Sequence, residues 1–349
     1  MRPTCLSILF LIALVVGMHA STPSARAADA AQTVSGETKG CNGGDAVSCY
    51  NLAVDYDNGD GVAKDTARAA TLYAKGCDRG HVGSCYNLAV DYDTGDGVAK
   101  DLARAAILYA KACDGGHHGA CYNLALDYDH GEGVAKDTAR AATLYAKACD
   151  DAHASACFNL AVDYDTGDGV TQDKAHGAQL YETSCDGAAG GDMKGCYNLA
   201  LDYDNGEGVA KDTARAATLY AKACDGGHAM SCQNLAIDYD NGEGVGKDLG
   251  HAANLYAKAC DLGDLKGCVN LGVDYDNGDG VARDQARAAT FYAKACDGGN
   301  AKGCFNLGLD YDNGEGVAQD KARAASLYAK ACNGGDAKAC EKTGRGKPN

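Results

Sequence analysis

CDGGHHGACYNLALDYDHGEGVAKD, residues Cys113 to Asp137, puts two cysteines, two adjacent histidines, four aspartates and a glycine-rich acidic loop into twenty-five residues. Taken alone, it has the composition of a metal site. It is, however, one copy of a unit that recurs down the chain, and the recurrence decides the fold. Cysteines fall at 41/49, 77/85, 113/121, 149/157, 185/196, 224/232, 260/268, 296/304 and 332/340, and eight of these nine pairs are C-x7-C. Successive pairs begin 36 residues apart, except for one 39-residue step where Gly187-Ala188-Ala189-Gly190-Gly191 lengthens the loop between Cys185 and Cys196. A fixed period of this length predicts a solenoid of supersecondary units rather than a set of globular domains.

Within a unit, Ser48-Cys49-Tyr50-Asn51-Leu52-Ala53-Val54-Asp55-Tyr56 places Leu52 and Tyr56 four apart on one helical face, with Cys49 a turn earlier. This is helix A. Asn58-Gly59-Asp60-Gly61 stops it, and Asp65 is placed to cap helix B, which runs through Ala69, Leu72, Tyr73 and Gly76 to Cys77. The position of His81 is Asp45, His117, His153, His228, Asp264, Asn300 and Asp336 in other units. Alternation of Asp, Asn and His is the pattern of an N-cap for the next helix A.

The rest of the composition agrees with helices punctuated by glycine. The 349 residues include 47 Gly but only three Pro, at 3, 23 and 348, so no proline breaks the repeats. The net charge of -16 is spread along the chain, which makes nucleic acid and anionic membrane surfaces poor partners. Residues 1–27, MRPTCLSILFLIALVVGMHASTPSARA, read as a signal peptide: a basic start at Arg2, an apolar run from Leu6 to Val16, and Ala25-Arg26-Ala27 for cleavage. The run is short for a membrane span, and no membrane anchor is expected. Cys5 leaves with the leader, so eighteen cysteines remain in a chain expected to be periplasmic or secreted. Residues 28–40 read as a linker, 41–340 as the repeat array, and 341–349 as a polar tail.

The string YDNGDGVAKDTARAATLYAKGC, repeated with small changes, resembles the Sel-one-like repeat family, whose pattern is Leu-Gly, Tyr-x-x-Gly-x-Gly-Val, Asp, Ala-Ala, Tyr and Ala. The C-x7-C pairs and the leader are similar to its secreted, Helicobacter cysteine-rich protein branch. One departure is that the proline common after Gly-Val in that family is Ala or another residue here. The resemblance implies an all-α, TPR-like α/α solenoid, a right-handed superhelix of eight disulfide-stapled helix pairs with a terminal half-unit.

Two disulfide registers are sterically feasible. Cys49 could join Cys77 across the longer loop, which would orphan Cys41 and Cys340. The shorter register uses all eighteen cysteines and is the one the resemblance implies: Cys41–Cys49, Cys77–Cys85, Cys113–Cys121, Cys149–Cys157, Cys185–Cys196, Cys224–Cys232, Cys260–Cys268, Cys296–Cys304 and Cys332–Cys340. Each bridge of so small a loop contributes about 2.5 kcal/mol by the chain-entropy model.

The chemical motifs thin out on inspection. Zinc needs C-x(2-4)-C spacing with converging ligands, and none occurs. His118 is Val82, Ala154, Ala229 and Leu265 in other units, so the His-His pair is not a recurring ligand set. The DYDNGDG loop misses the calcium-loop register, with Gly59 where a ligand belongs. No metal or other cofactor is expected. The cysteine-rich branch is often labelled penicillin-binding or β-lactamase, and this is the alternative function that the resemblance implies. Yet no S-x-x-K or S-D-N occurs, and Lys342-Thr343-Gly344 stands by itself in the tail. No catalytic residue is expected.

What remains is a surface ladder. Asn51 recurs at Asn87, Asn123, Asn159, Asn198, Asn234, Asn270 and Asn306; Asp55 recurs four residues later at Asp91, Asp127, Asp163, Asp202, Asp238, Asp274 and Asp310. Residues four apart share a helix face, and the helix-A faces of an α-solenoid line its concave side. Amides recognise an extended peptide backbone, and the carboxylates would favour a basic protein or peptide partner. The competing reading is structural: the Asn series bonds to backbone between repeats and the Asp series is merely solvated.

Overall fold

The computed structural model describes residues 23–150, 153–187 and 191–343, with side chains from residue 32. The signal-peptide reading falls largely on residues 1–22, and most of the tail on 344–349, outside the described residues. Every regular element described is an α-helix, and the chain divides into two compact units between His117 and His118. The first unit holds α1 (Pro23–Asn42), α2 (Ala46–Asn58), α3 (Thr66–Asp78), α4 (Val82–Thr94) and α5 (Leu102–Asp114). The second holds α6 (His118–His130), α7 (Thr138–Cys149), α8 (Ala154–Thr166), α9 (Lys174–Asp186), α10 (Met193–Asn205), α11 (Thr213–Asp225), α12 (Ala229–Asn241), α13 (Leu249–Asp261), α14 (Leu265–Asn277), α15 (Gln285–Asp297), α16 (Ala301–Asn313), α17 (Lys321–Asn333) and α18 (Ala337–Thr343). Helices A and B alternate as the period requires, and the architecture is an α/α solenoid.

Each helix begins and ends as the repeat chemistry dictates. Asp65 accepts from Arg68 N, and Asp45 from Ser48 N; His81 does the same for Ser84 N through Nδ1. At His228 the ring instead meets the Ser231 hydroxyl at 2.8 Å. Gly95 ends α4 in the left-handed conformation at φ +86°, and Gly97, two residues on, packs where a Cβ would lie 2.2 Å from the Thr66 carbonyl. The acidic G-D/E-G loop is therefore shaped by close packing on the preceding repeat.

The core is small-residue and tyrosine based. Ala53, Ala69 and Ala70 are at most 2% exposed, and Tyr73 is 1% exposed, with Leu52 and Leu72 completing the cluster. Small side chains let the helices approach closely, and the tyrosine supplies the buried area. Residues 28–40, read as a linker, lie in α1, and Val34 packs against this cluster. The physical reason is that Lys39-Gly40-Cys41 repeats Lys75-Gly76-Cys77, so α1 completes the first unit as a helix B.

Eight bridges join the end of one helix B to the first turn of the next helix A: Cys41–Cys49, Cys77–Cys85, Cys149–Cys157, Cys185–Cys196, Cys224–Cys232, Cys260–Cys268, Cys296–Cys304 and Cys332–Cys340. Cys113 and Cys121 are also disulfide-bonded. The Cα–Cα distances of the eight bridges, 4.4 to 4.7 Å, include the long-looped Cys185–Cys196 at 4.6 Å, so the longer loop leaves the staple unchanged. So many disulfides fit an extracytoplasmic protein. Among the described residues no helix is long and apolar enough to cross a membrane.

Candidate functional site

The ladder residues are held by a buried tyrosine. Tyr73 of α3 donates its hydroxyl to Asp57 Oδ2 of α2 at 2.8 Å, and the Asn87 side chain of α4 faces the same hydroxyl. The arrangement repeats in the second unit: Tyr145 to Asp129 at 2.8 Å with Asn159, Tyr181 to Asp165 at 2.9 Å with Asn198, and Tyr220 to Asp204 at 2.9 Å with Asn234. Tyr256 and Tyr292 repeat it with Asp240 and Asp276, facing Asn270 and Asn306. Burial and the adjacent carboxylate push these phenols well above their ordinary range. The Asn series thus sits between repeats, half-buried in all but the exposed Asn51, and meets a side-chain hydroxyl. At the first repeat Glu37 stands where the tyrosine would be. Burial, with Asp55 alongside, raises its carboxyl to about 7, opposed by a hydrogen bond from Asn51.

The Asp series is not solvated. Asp163, Asp202, Asp238, Asp274 and Asp310 are 3 to 8% exposed, and the Oδ2 atom of each lacks a hydrogen-bond partner. Asp127 is as deeply buried, while Asp55 and Asp91 are half-buried. Desolvation raises the carboxyls of Asp91, Asp163, Asp202, Asp238, Asp274 and Asp310 to about 7. Two neighbouring acids add to the effect: the tyrosine-bound aspartate of the preceding repeat, such as Asp129 beside Asp163, and the loop acid, such as Asp168. Sequence reading missed both this burial and the tyrosine–aspartate pair. The available signal was Asp57, which recurs as faithfully as Asp55 and always precedes a helix-B tyrosine by sixteen residues.

One stretch of the ladder opens into a cleft of about 350 Å³. Its lining combines polar Asp129, Tyr145, Asn159 and Asp163 with apolar Leu126, Phe158 and Val162. The cleft can take an aliphatic or backbone segment and offers it amide and carboxyl partners.

The other candidate chemistry resolves into structure. His117 stacks on Tyr86 at 4.1 Å, and among the described residues no group of three or more His, Cys, Asp or Glu could hold a metal ion. Arg104 packs over Tyr92 at 5.5 Å, as Arg140 does over Tyr128.

The model of the Sel1 repeat matches eight times, at residues 46–81, 82–117, 118–153, 154–188, 194–228, 229–264, 265–300 and 301–336. The chain belongs to the Sel1 repeat family. A protective antigen present in uropathogenic Escherichia coli strains, which displays an SLR fold, is similar, with a TM-score of 0.83 and 29% identity over 89% of this chain and 66% of that one. The chain thus spans just under two thirds of that protein. A Sel1 repeat protein from Oxalobacter formigenes is similar over 88% of both chains at 23% identity and a TM-score of 0.71. Helicobacter pylori cysteine rich protein B is 32% identical over 38% of this chain and 95% of its own, with a TM-score of 0.32. No curated protein matches the chain. The Sel1 assignment makes the chain a repeat scaffold of the kind that mediates protein–protein interaction.

Proposed function

We propose that this Sel1-repeat protein is a non-catalytic periplasmic or secreted scaffold that binds an extended segment of a basic partner protein along its helix-A face. The observation that carries the reading is the cleft at Asn159 and Asp163, where ladder residues meet apolar walls. The half-buried amides supply recognition of a peptide backbone. Basic character follows from the loop acids, since Asp60, Asp96, Glu132, Asp168, Glu207, Glu243 and Glu315 are all exposed at the ends of helix A. They draw lysine and arginine toward the ladder and repel acidic chains.

Fluorescence anisotropy with a labelled Ala-Lys-Ala-Ala-Lys-Ala amide, beside its norleucine analogue, tests the reading. Binding of the lysine peptide is expected to weaken with added salt. Asn159→Ala is expected to weaken it further by about 1 kcal/mol, the worth of one hydrogen bond. Equal binding of the two peptides, or of the variant and the native protein, would show the ladder to be purely structural.

A further inference from the structure

The second residue of helix A changes character along the chain. It is Val47, Gly83, Gly119 and Ser155 in the earlier repeats, then Lys194, Met230, Lys266, Lys302 and Lys338. All four lysines are exposed. The ammonium group of Lys194 sits 5.9 Å from the centre of the Phe158 ring. Those of Lys266, Lys302 and Lys338 make no hydrogen bond, ion pair or ring contact among the described residues. The helix-B lysines behave differently: Lys258 pairs with Asp225 at 2.8 Å, Lys294 with Asp261 at 3.2 Å, and Lys330 reaches the Cys296 carbonyl at 2.8 Å.

A second change coincides with the first. Where the cap is histidine, it packs on the aromatic ring of the preceding helix A, as His81 does on Tyr50 at 4.6 Å and His228 on Tyr197 at 4.7 Å. At the last three junctions the corresponding pairs are Gln233 and Asp264, Val269 and Asn300, and Phe305 and Asp336. The ring–histidine filling is lost, and two adjoining clefts open. One, about 320 Å³, is lined by Gln233, Lys266, Val269, Asn270, Asn300 and Lys302. The other, about 340 Å³, is lined by Lys302, Phe305, Asn306, Asp336, Ala337 and Lys338. Lys302 is common to both.

We propose that these two clefts bind an extended polypeptide segment carrying acidic side chains, a second recognition strip of opposite sign to the ladder acids. Lys266 and Asn270, like Lys302 and Asn306, stand four apart on one helix face, so each cleft is lined by an ammonium and by an amide that the helix-B tyrosine holds in place. Asn300 spends its Oδ1 on capping Gly303 N at 3.0 Å, which leaves its amino group as a further donor. Val269 gives the first cleft, and Phe305 the second, an apolar wall that suits the methylenes of Asp or Glu. The clefts share Lys302 and an extended chain advances about 3.3 Å per residue, so one short extended segment can span both. The strip uses none of the ladder carboxylates, and it goes beyond the binding of a basic segment.

The test is anisotropy of the full chain with fluorescein-labelled Asp-Ala-Ala-Glu-Ala-Ala-Asp amide and its Asn/Gln analogue. Binding of the acidic peptide is expected, with Kd about tenfold weaker for the analogue and for Lys266→Gln/Lys302→Gln. Lys258→Gln/Lys294→Gln, which removes paired cations, and Asn159→Ala, which disables the ladder cleft, are expected to bind as the native chain does. These positions are exposed or lie outside the core, and an unchanged circular-dichroism melt confirms folding. Absence of binding, or Lys266→Gln/Lys302→Gln binding at native strength, overturns the proposal. So does a heparin-derived hexasaccharide that binds as tightly with the same lysine dependence, because the surface would then be a general polyanion site.

Discussion

The Tyr145 hydroxyl donates to Asp129 Oδ2 at 2.8 Å, sixteen residues earlier in the chain, and faces Asn159 fourteen residues later. A single buried phenol therefore ties the two helices of its own repeat to the first helix of the next. The polar ladder and the apolar core are one structure, because the ring that fills the core carries the hydroxyl that orders the ladder.

Tyr145→Phe is expected to keep the ring packing and lose only the hydroxyl, leaving the half-buried Asp129 carboxylate without its donor. A hydrogen bond to a charged group is worth about 1.5–3 kcal/mol, so the thermal midpoint should fall measurably in a calorimetric scan. A midpoint equal to that of the native protein would mean that Asp129 is satisfied without the tyrosine.

Two glycines separate backbone conformation from close approach. Gly80 has φ +87° with nothing within 4 Å of a built Cβ, whereas Gly97 has φ +65° and would place that Cβ 2.2 Å from the Thr66 carbonyl. Gly80→Ala should cost about 1–2 kcal/mol for the left-handed conformation, and Gly97→Ala a further 1–3 kcal/mol for the overlap that packing must relieve. Chemical denaturation of the two variants side by side checks the order, and equal losses would contradict the close approach.

Much of this was legible in the sequence because the repeat reports itself eight times. The cysteine period set the helix pairs, the Gly59 and Asp65 positions set their ends, and the alternation of Asp, Asn and His marked the caps. Residues 28–40 escaped that reading because α1 has only a fragment of the repeat motif, Lys39-Gly40-Cys41, and none of its acidic loop. The Asp series misled for a different reason. Period alone places Asp163 and Asn159 on one face, yet burial depends on the neighbouring helices, and the helix-B tyrosine that draws the face inward lies in another part of the repeat. The cation strip at Lys302 was hidden by the same regularity, since it departs from the consensus that defined the units.

The buried Asp series gives the solenoid an unusual pH dependence. In the unfolded chain an aspartate titrates near ~3.9, whereas Asp91, Asp163, Asp202, Asp238, Asp274 and Asp310 are raised to about 7 in the fold. Between those values the folded protein holds protons that the unfolded chain has released, so stability falls as pH rises through that window and levels off above it. Histidines act in the other direction. Burial lowers the proton affinity of His81, His153 and His228, so charging them disfavours the fold as pH falls below their unfolded value. The six carboxyls outnumber the three rings, and a higher melting temperature is expected at pH 5.5 than at pH 7.5. Asp163→Asn/Asp238→Asn/Asp310→Asn replaces three of these carboxyls with permanently neutral groups of the same shape. It should raise the midpoint at pH 7.5 and shrink the difference between the two pH values. Were the native and triple-variant proteins to show the same difference, the carboxyls would be titrating as ordinary solvated acids, and their burial would have to be relieved in solution.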